Sequence, residues 1–165
     1  MSREPLNVII IGAGTGGLCL AHGLKQAGID VAVYERDRSR VDGLQGYRVG
    51  INEQGLASLK ACLPLDLFAT FLATCARTPG HFNILTERMT ELLCMPIDDE
   101  ALSGGKSVSR MTLRQILLTG LEEQIHFDKT FTAYEQHADG SVTAHFTDGT
   151  HVTADLLVGA DGARS

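Results

Sequence analysis

The chain has no tryptophan, four prolines, four cysteines and only 5% aromatic residues in 165 positions. Cys19, Cys62, Cys75 and Cys94 form no CxxC pair and stand in no secretory context, so they are read as free thiols that mostly serve packing. Long apolar runs are absent as well. Val8-Ile9-Ile10-Ile11 is cut at once by Gly12, far short of the ~18 residues a spanning helix needs, which excludes a transmembrane segment of that kind. The start, with Arg3, Glu4 and Pro5, lacks the apolar stretch of a signal peptide, so a cytoplasmic location is expected. Positive charge is scarce: 14 basic residues face 20 acidic ones, a formal charge of −6, and no basic stripe exists to track nucleic acid.

Several reaction classes fall by the same route. His22, His81, His126, His137, His145 and His151 show no HxxxH, HxH or Cys-His spacing, so no metal site is expected. Ser107 and Ser109 stand near Lys106 but in no GxSxG elbow, so they are read as capping or loop residues rather than nucleophiles. Asp98-Asp99-Glu100 lacks the alternating ligands and turn glycine of a calcium loop and reads as a solvated loop. There is no internal repeat, low-complexity tract or proline-rich linker.

What remains is a chain that is 44% hydrophobic and 21% charged, enough apolar matter for one folded domain over residues 1–165 and too little charge for a disordered one. Leu6 to Ile11 reads as a buried parallel strand, residues 14–27 as a helix stopped by Gly28, and Val31 to Tyr34 as a second buried strand. A loop from Arg36 to Gly46 follows, then a helix over Asn52 to Leu63 closed by Pro64. Two short strands, His81 to Leu85 and Glu91 to Met95, are joined by a polar turn. Ser109 to Glu123 reads as a helix with Ser109 as N-cap, its Leu113, Ile116, Leu117 and Leu121 packing on a sheet. Ile125–Phe127, Phe131–Glu135, Val142–Phe146 and His151–Thr153, punctuated by Asp139-Gly140 and Asp148-Gly149, read as an antiparallel meander. Asp155 to Val158 is a last buried strand, and the chain stops at Ala163-Arg164-Ser165 as the first part of a longer protein would.

One glycine hexad has its full context. Gly12-Ala13-Gly14-Thr15-Gly16-Gly17 follows a strand, opens a helix and is followed by Glu35 at the end of the next strand. The first glycine permits the sharp turn, the second lets a pyrophosphate approach the backbone, and the third lets helix and strand pack closely. The phosphates would meet the helix N-terminus, where free amides and a partial charge of roughly +0.5 favour anions. Glu35 would take the ribose hydroxyls and disfavour a 2′-phosphate, although Arg36, Arg38 and Arg40 stand beside it. Asp37 and Asp42 interleave with those arginines, so only Arg36 is given a binding role. The hexad alone leaves FAD and NAD both open.

Resemblance narrows the choice. From Val8 to Arg36 the spacing of Ala21, Leu24, Gly28, Val31 and Glu35 resembles the FAD fingerprint of glutathione-reductase-type enzymes. Ser109-Arg110-Met111-Thr112-Leu113-Arg114 resembles the arginine-containing helix start of the flavoprotein aromatic hydroxylases. The segment from Asp155 through Asp161-Gly162 to Ser165 resembles their DG motif, and Gly46-Tyr47-Arg48-Val49-Gly50-Ile51 fits the same pattern. With these motifs in order, nearly the whole chain resembles the FAD-binding portion of single-component monooxygenases of the para-hydroxybenzoate hydroxylase type.

That resemblance implies an α/β, Rossmann-like FAD-binding domain carrying an antiparallel meander. It implies that Gly12, Gly14 and Gly17, with the amides of Thr15 and Gly16, hold the FAD pyrophosphate, that Glu35 binds the adenosine ribose and that Arg36 lies by the adenine. Arg48, in the loop before the second helix, and Arg110, at its helix start, would reach the pyrophosphate or ribityl side, and the Phe131 backbone would meet the adenine. Asp161 would support FAD and the NADH or NADPH co-substrate. The implied activity inserts one atom of oxygen into a small organic substrate, hydroxylating a ring or epoxidising a double bond. The later GD motif and the C-terminal substrate domain of that family are not in these residues, so no catalytic or substrate residue is assigned. A non-catalytic dinucleotide-binding module and an NAD-dependent oxidoreductase are the rival readings.

Overall fold

Alternation along the first strand explains the layers. In β1 (Asn7–Ile11), successive side chains point to opposite faces of the sheet. Val8 and Ile10 belong to the larger core cluster, with Leu18, Ala21, Leu59, Phe71, Leu113 and Leu117. Ile9 and Ile11 belong to a smaller one on the other face, with Ala144, Phe146 and Ala154. A strand apolar on both faces must be covered on both, and here helices cover one side and a second sheet the other. The computed structural model describes residues 6–42, 46–77, 80–96 and 105–162.

Helix α1 (Thr15–Gln26) follows β1 and leads to β2 (Asp30–Tyr34), parallel to β1 with Val8 opposite Val31. Gly14 is its N-cap, Ala27 its C-cap, and Gly28 turns the chain at φ +72°, a conformation that suits glycine after a helix. Next come β3 (Arg48–Ile51) and α2 (Glu53–Cys62), capped by the Asn52 side chain. Then α3 (Leu65–Thr74), β4 (His81–Leu85) and β5 (Glu91–Pro96) complete the first half. The β4–β5 hairpin forms a separate two-stranded sheet with both strands exposed.

The second half comprises β6 (Lys106–Ser109), α4 (Arg110–Leu118), β7 (Ile125–His126), β8 (Phe131–Gln136), β9 (Val142–Phe146), β10 (His151–Ala154) and β11 (Leu156–Gly159). The parallel sheet runs β11-β1-β2-β7, and β10-β9-β8 form the antiparallel meander across it. This is the expected α/β architecture.

Five local expectations are corrected. Pro64 does end α2, but it also caps a further helix, α3, whose Phe71 is fully buried. Arg48 lies on a strand rather than in a loop, because β3 finds an antiparallel partner in β6, with Arg48 opposite Ser109. Helix α4 ends at Leu118 rather than Glu123. Thr119 leaves helical geometry at ψ 130°, and Gly120 takes φ +81°, so residues to Gln124 form turns instead. Ile125–His126 joins the parallel sheet beside β2, with Val33 opposite Ile125, instead of opening the meander. β11 is only half-buried, with Leu156 48% exposed, because among the described residues it has a strand neighbour on one side only. Asp98-Asp99-Glu100 and Ala163-Arg164-Ser165 lie outside the described residues.

Candidate functional site

The carboxyl ends of β1, β2 and β11 meet one open cleft of about 1210 Å³. Strand β1 is flanked by β2 on one side and β11 on the other, the point in a doubly wound sheet where neighbouring connections diverge and leave a crevice. Gly12, Ala13, Gly14 and Thr15 form its floor. Glu35, Arg36 and Asp37 form one wall, Arg110 and Arg114 a second, and Phe131, Thr132 and Tyr134 a third. Gly159 to Gly162 also line it.

The glycine turn is enforced by contact. Gly12 sits at φ +107°, and a Cβ there would lie 2.6 Å from the Ala160 carbonyl oxygen. Gly17 is shut in by the Gly12 carbonyl oxygen, against which a Cβ would collide. Gly14 differs: a Cβ would meet Ala160 O at an ordinary 3.7 Å, so the fold tolerates a side chain there and the cleft would receive it. The Gly12 amide donates to Tyr34 O at 2.8 Å, and the Ala160 amide to Ile11 O at 2.7 Å, locking three strand ends together.

Helix α1 begins in this cleft with no side-chain cap and no acidic residue in its first turn. Its first amides therefore keep their positive end for an outside acceptor. Arg36 and Arg110 line the same space and have no ion-pair partner among the described residues. Two free guanidinium groups near an uncapped helix start suit a ligand carrying phosphate oxygens.

Glu35 is 8% exposed and is built into the cleft wall. Its Oε2 accepts the Ala13 amide at 2.6 Å and its Oε1 the Asp37 amide at 3.0 Å. A carboxylate has about four acceptor positions, so lone pairs remain for donors from outside the chain. Tyr34 stacks on His126 at 4.8 Å and leans on Phe146 at 4.8 Å, and burial pushes its phenol above the ordinary range.

Of the residues predicted for binding, Gly12, Gly14, Thr15, Glu35, Arg36, Arg110, Phe131 and Asp161 are brought together around the cleft. Gly16 and Gly17 sit just behind it in the first turn of α1. Arg48 stands apart: its Nε donates to Ser107 Oγ at 2.9 Å and its Nη2 to Ser107 O at 2.8 Å, stapling β3 to β6. Sequence reasoning passed over Asp37, Arg114 and Lys129, all of which line the cleft. Arg114 could have been found by spacing, since it follows Arg110 by one helical turn and so shares its face.

Comparison with known proteins agrees with this geometry. The FAD binding domain family matches residues 5–165. The dual O-methyltransferase/FAD-dependent monooxygenase CTB3 of Cercospora beticola is 40% identical over 180 residues, covering 99% of this chain and 20% of that protein. A crystal structure from Photorhabdus luminescens subsp. laumondii, assigned as an FAD containing monooxygenase, superimposes with a TM-score of 0.82 at 39% identity, covering 97% of this chain and 40% of that one. The R204Q HpxO of Klebsiella pneumoniae complexed with FAD gives a TM-score of 0.72 at 28% identity over 95% of this chain and 40% of that chain. This chain thus spans well under half the length of these relatives. An uncapped helix start at the cleft, a buried acid after β2 and a family match over nearly every residue together make it a member of the FAD binding domain family.

Proposed function

We propose that this chain is the FAD-binding part of a flavin-dependent monooxygenase that draws electrons from NADH or NADPH and oxygenates a small organic substrate such as an aromatic ring. The observation that carries the reading is the cleft where an uncapped α1, buried Glu35, and Arg36 and Arg110 without an ion pair among the described residues converge. The similar proteins named as monooxygenases support the activity. Its place of action in this reading is the cytoplasm; among the described residues no helix is long and apolar enough to cross a membrane.

In this reading the amides of Thr15 and Gly16 donate to the pyrophosphate oxygens, with Gly12, Gly14 and Gly17 keeping the approach clear. Glu35 takes the adenosine ribose, Arg36 and the Phe131 backbone flank the adenine, and Arg110 neutralises phosphate charge from the opposite wall. Asp161, beside Gly159 and Gly162, shapes the far end of the cleft. Arg48 serves the ribityl side only by releasing Ser107. The oxidation chemistry is supplied by the flavin, and the protein contributes binding, orientation and exclusion of water.

The test is the visible spectrum of the purified chain after FAD is added and the excess removed. A retained flavin band is expected, and Arg110→Ala should weaken FAD binding about tenfold, as loss of one charge-assisted phosphate contact does. A folded chain that retains no flavin but binds NAD would overturn the reading in favour of a dehydrogenase. Flavin retention without NAD(P)H oxidation by the full-length protein would leave a binding module and remove the enzyme.

A further inference from the structure

The loop from Glu35 to Asp42 is fastened to helix α4 twice, in opposite directions. From the loop, Arg40 Nε donates to Gln115 Oε1 at 2.7 Å and its Nη2 to Gln115 O at 3.0 Å and Thr119 Oγ1 at 3.1 Å. Gln115 Nε2 returns a bond to Arg40 O at 3.2 Å. From the helix, Arg114 Nη2 pairs with Asp37 Oδ2 at 2.7 Å and its Nη1 donates to Asp42 O at 3.1 Å. The Asp37 and Arg114 side chains are only 27% and 16% exposed, so water screens this pair less than a surface one.

These bonds are not what holds α4 to the body of the protein. Leu113 and Leu117, on the core face of α4, are fully buried and do that work. The polar contacts instead fix the loop that presents Glu35 and Arg36 to the cleft. The loop's other rim is tied by the Asp128 amide on Asp37 O at 2.8 Å and the Lys129 amide on Glu35 O at 2.9 Å. Backbone bonds at one edge and an ion pair at the other describe a flap with a hinge and a fastener. Arg40 is consumed by α4, so it is not available to a ligand in the cleft. Arg114 Nε and Nη2 are both buried without a hydrogen-bond partner among the described residues, so the Nη2 contact with Asp37 is a pairing of charges rather than an aligned hydrogen bond.

We propose that the Asp37–Arg114 pair, backed by Arg40 on Gln115, is a latch that holds the 35–42 loop against α4 and thereby sets how long the adenosine end of a bound dinucleotide stays in the cleft. The proposal rests on the dinucleotide reading above. Asp37 and Arg114 act here as positioning residues, through Glu35 and Arg36.

The experiment has two arms on the same variants, Asp37→Asn, Arg114→Gln and the double variant, with Arg114→Lys as the conservative one. In the cofactor-free chain, native-state trypsin cleavage of the Arg38–Ser39 bond is followed by mass spectrometry. Each single variant should speed that cleavage about tenfold, the double variant no further, and Arg114→Lys should retain most of the protection. In the FAD-loaded chain, recovery of flavin fluorescence on dilution should show release about tenfold faster in the single variants, with association little changed. Raising salt should speed release more from wild type than from the variants, in which only the phosphate contacts remain to be screened.

Wild-type cleavage and release in every variant would overturn the latch, as would strictly additive effects of the two single changes. A folded wild-type chain that takes up no FAD would overturn the dinucleotide role while the cleavage arm still decides whether the strap exists.

Discussion

Gly12→Ala is the sharpest test of how the cleft is built. The residue sits at φ +107°, a region that a non-glycine residue occupies at about 1–3 kcal/mol. The added methyl would lie 2.6 Å from Ala160 O and 2.7 Å from the Asp161 Cα. Both neighbours are backbone, so no side chain can swing away, and the ends of β1 and β11 must part. Such overpacking adds roughly 1–3 kcal/mol. A total near 4 kcal/mol is a large share of the roughly 5–15 kcal/mol that holds a domain folded, and at about 2–4 °C per kcal/mol for a chain of this size the melting temperature should fall by about 8–16 °C. Gly14→Ala is the control, because its methyl meets Ala160 O at 3.7 Å with no positive φ. It should melt within about 2 °C of wild type yet bind FAD at least tenfold more weakly, since the methyl occupies the cleft. Thermal melts by circular dichroism and flavin fluorescence titrations read the two effects separately. A Gly12→Ala chain as stable as wild type would refute the steric argument.

Three other perturbations probe the body of the protein. Leu117→Ala, at a position with no exposed surface, should destabilise by about 2–5 kcal/mol in urea titrations through the cavity left between α4 and the sheet. His22 is buried on α1, with Nε2 2.9 Å from Leu117 O, and burial holds its ring below the ordinary histidine value of 6.5. The unfolded chain therefore takes up the proton first, so stability should be intact above about pH 6.5 and fall as acid passes from there through the lowered folded value. His22→Gln should flatten that slope in denaturation midpoints measured across pH. Among the thiols, Cys94 is exposed while Cys19 is pushed up to about 12, chiefly by burial and then by Cys62. At pH 8 only about one Cys19 in 10⁴ is a thiolate, so timed alkylation with mass spectrometry should label Cys94 well before Cys19.

The parts of the fold that the sequence made legible are those decided by local sterics. Gly17 is closed by the Gly12 carbonyl oxygen five residues before it, Gly28 takes positive φ after α1, and Ser109 caps its helix with its own oxygen. Each is settled within a few residues, so spacing alone reveals it. The parts that escaped depend on distant partners. Ile125–His126 is too short to show a period, and only β2 makes it a parallel strand. Lys106–Ser109 has a mixed pattern that becomes a strand through β3. Helix α3 begins straight after Pro64, where one proline serves both as a stop and as a start.

The same division runs through the site, and it separates the residues proposed to touch a ligand from those that place them. The glycines, Glu35, Arg36 and Arg110 carry their roles in residue type and local position. Asp37 does not, and spacing places Arg114 only on the face of Arg110, because an ion pair between a loop and a helix far apart in sequence leaves no periodic trace. Yet the geometry gives that pair influence over the legible residues. The Asp37 amide fixes Glu35 Oε1, the Asp37 carboxylate meets Arg114, and Arg114 leaves α4 one turn after Arg110. A shift of α4 would therefore reach both walls of the cleft together: Arg110 directly, and Glu35 through Asp37. Cofactor affinity in this domain should respond to substitutions on the polar face of α4 that never approach the ligand, and to those on its apolar face only as far as they unfold the chain.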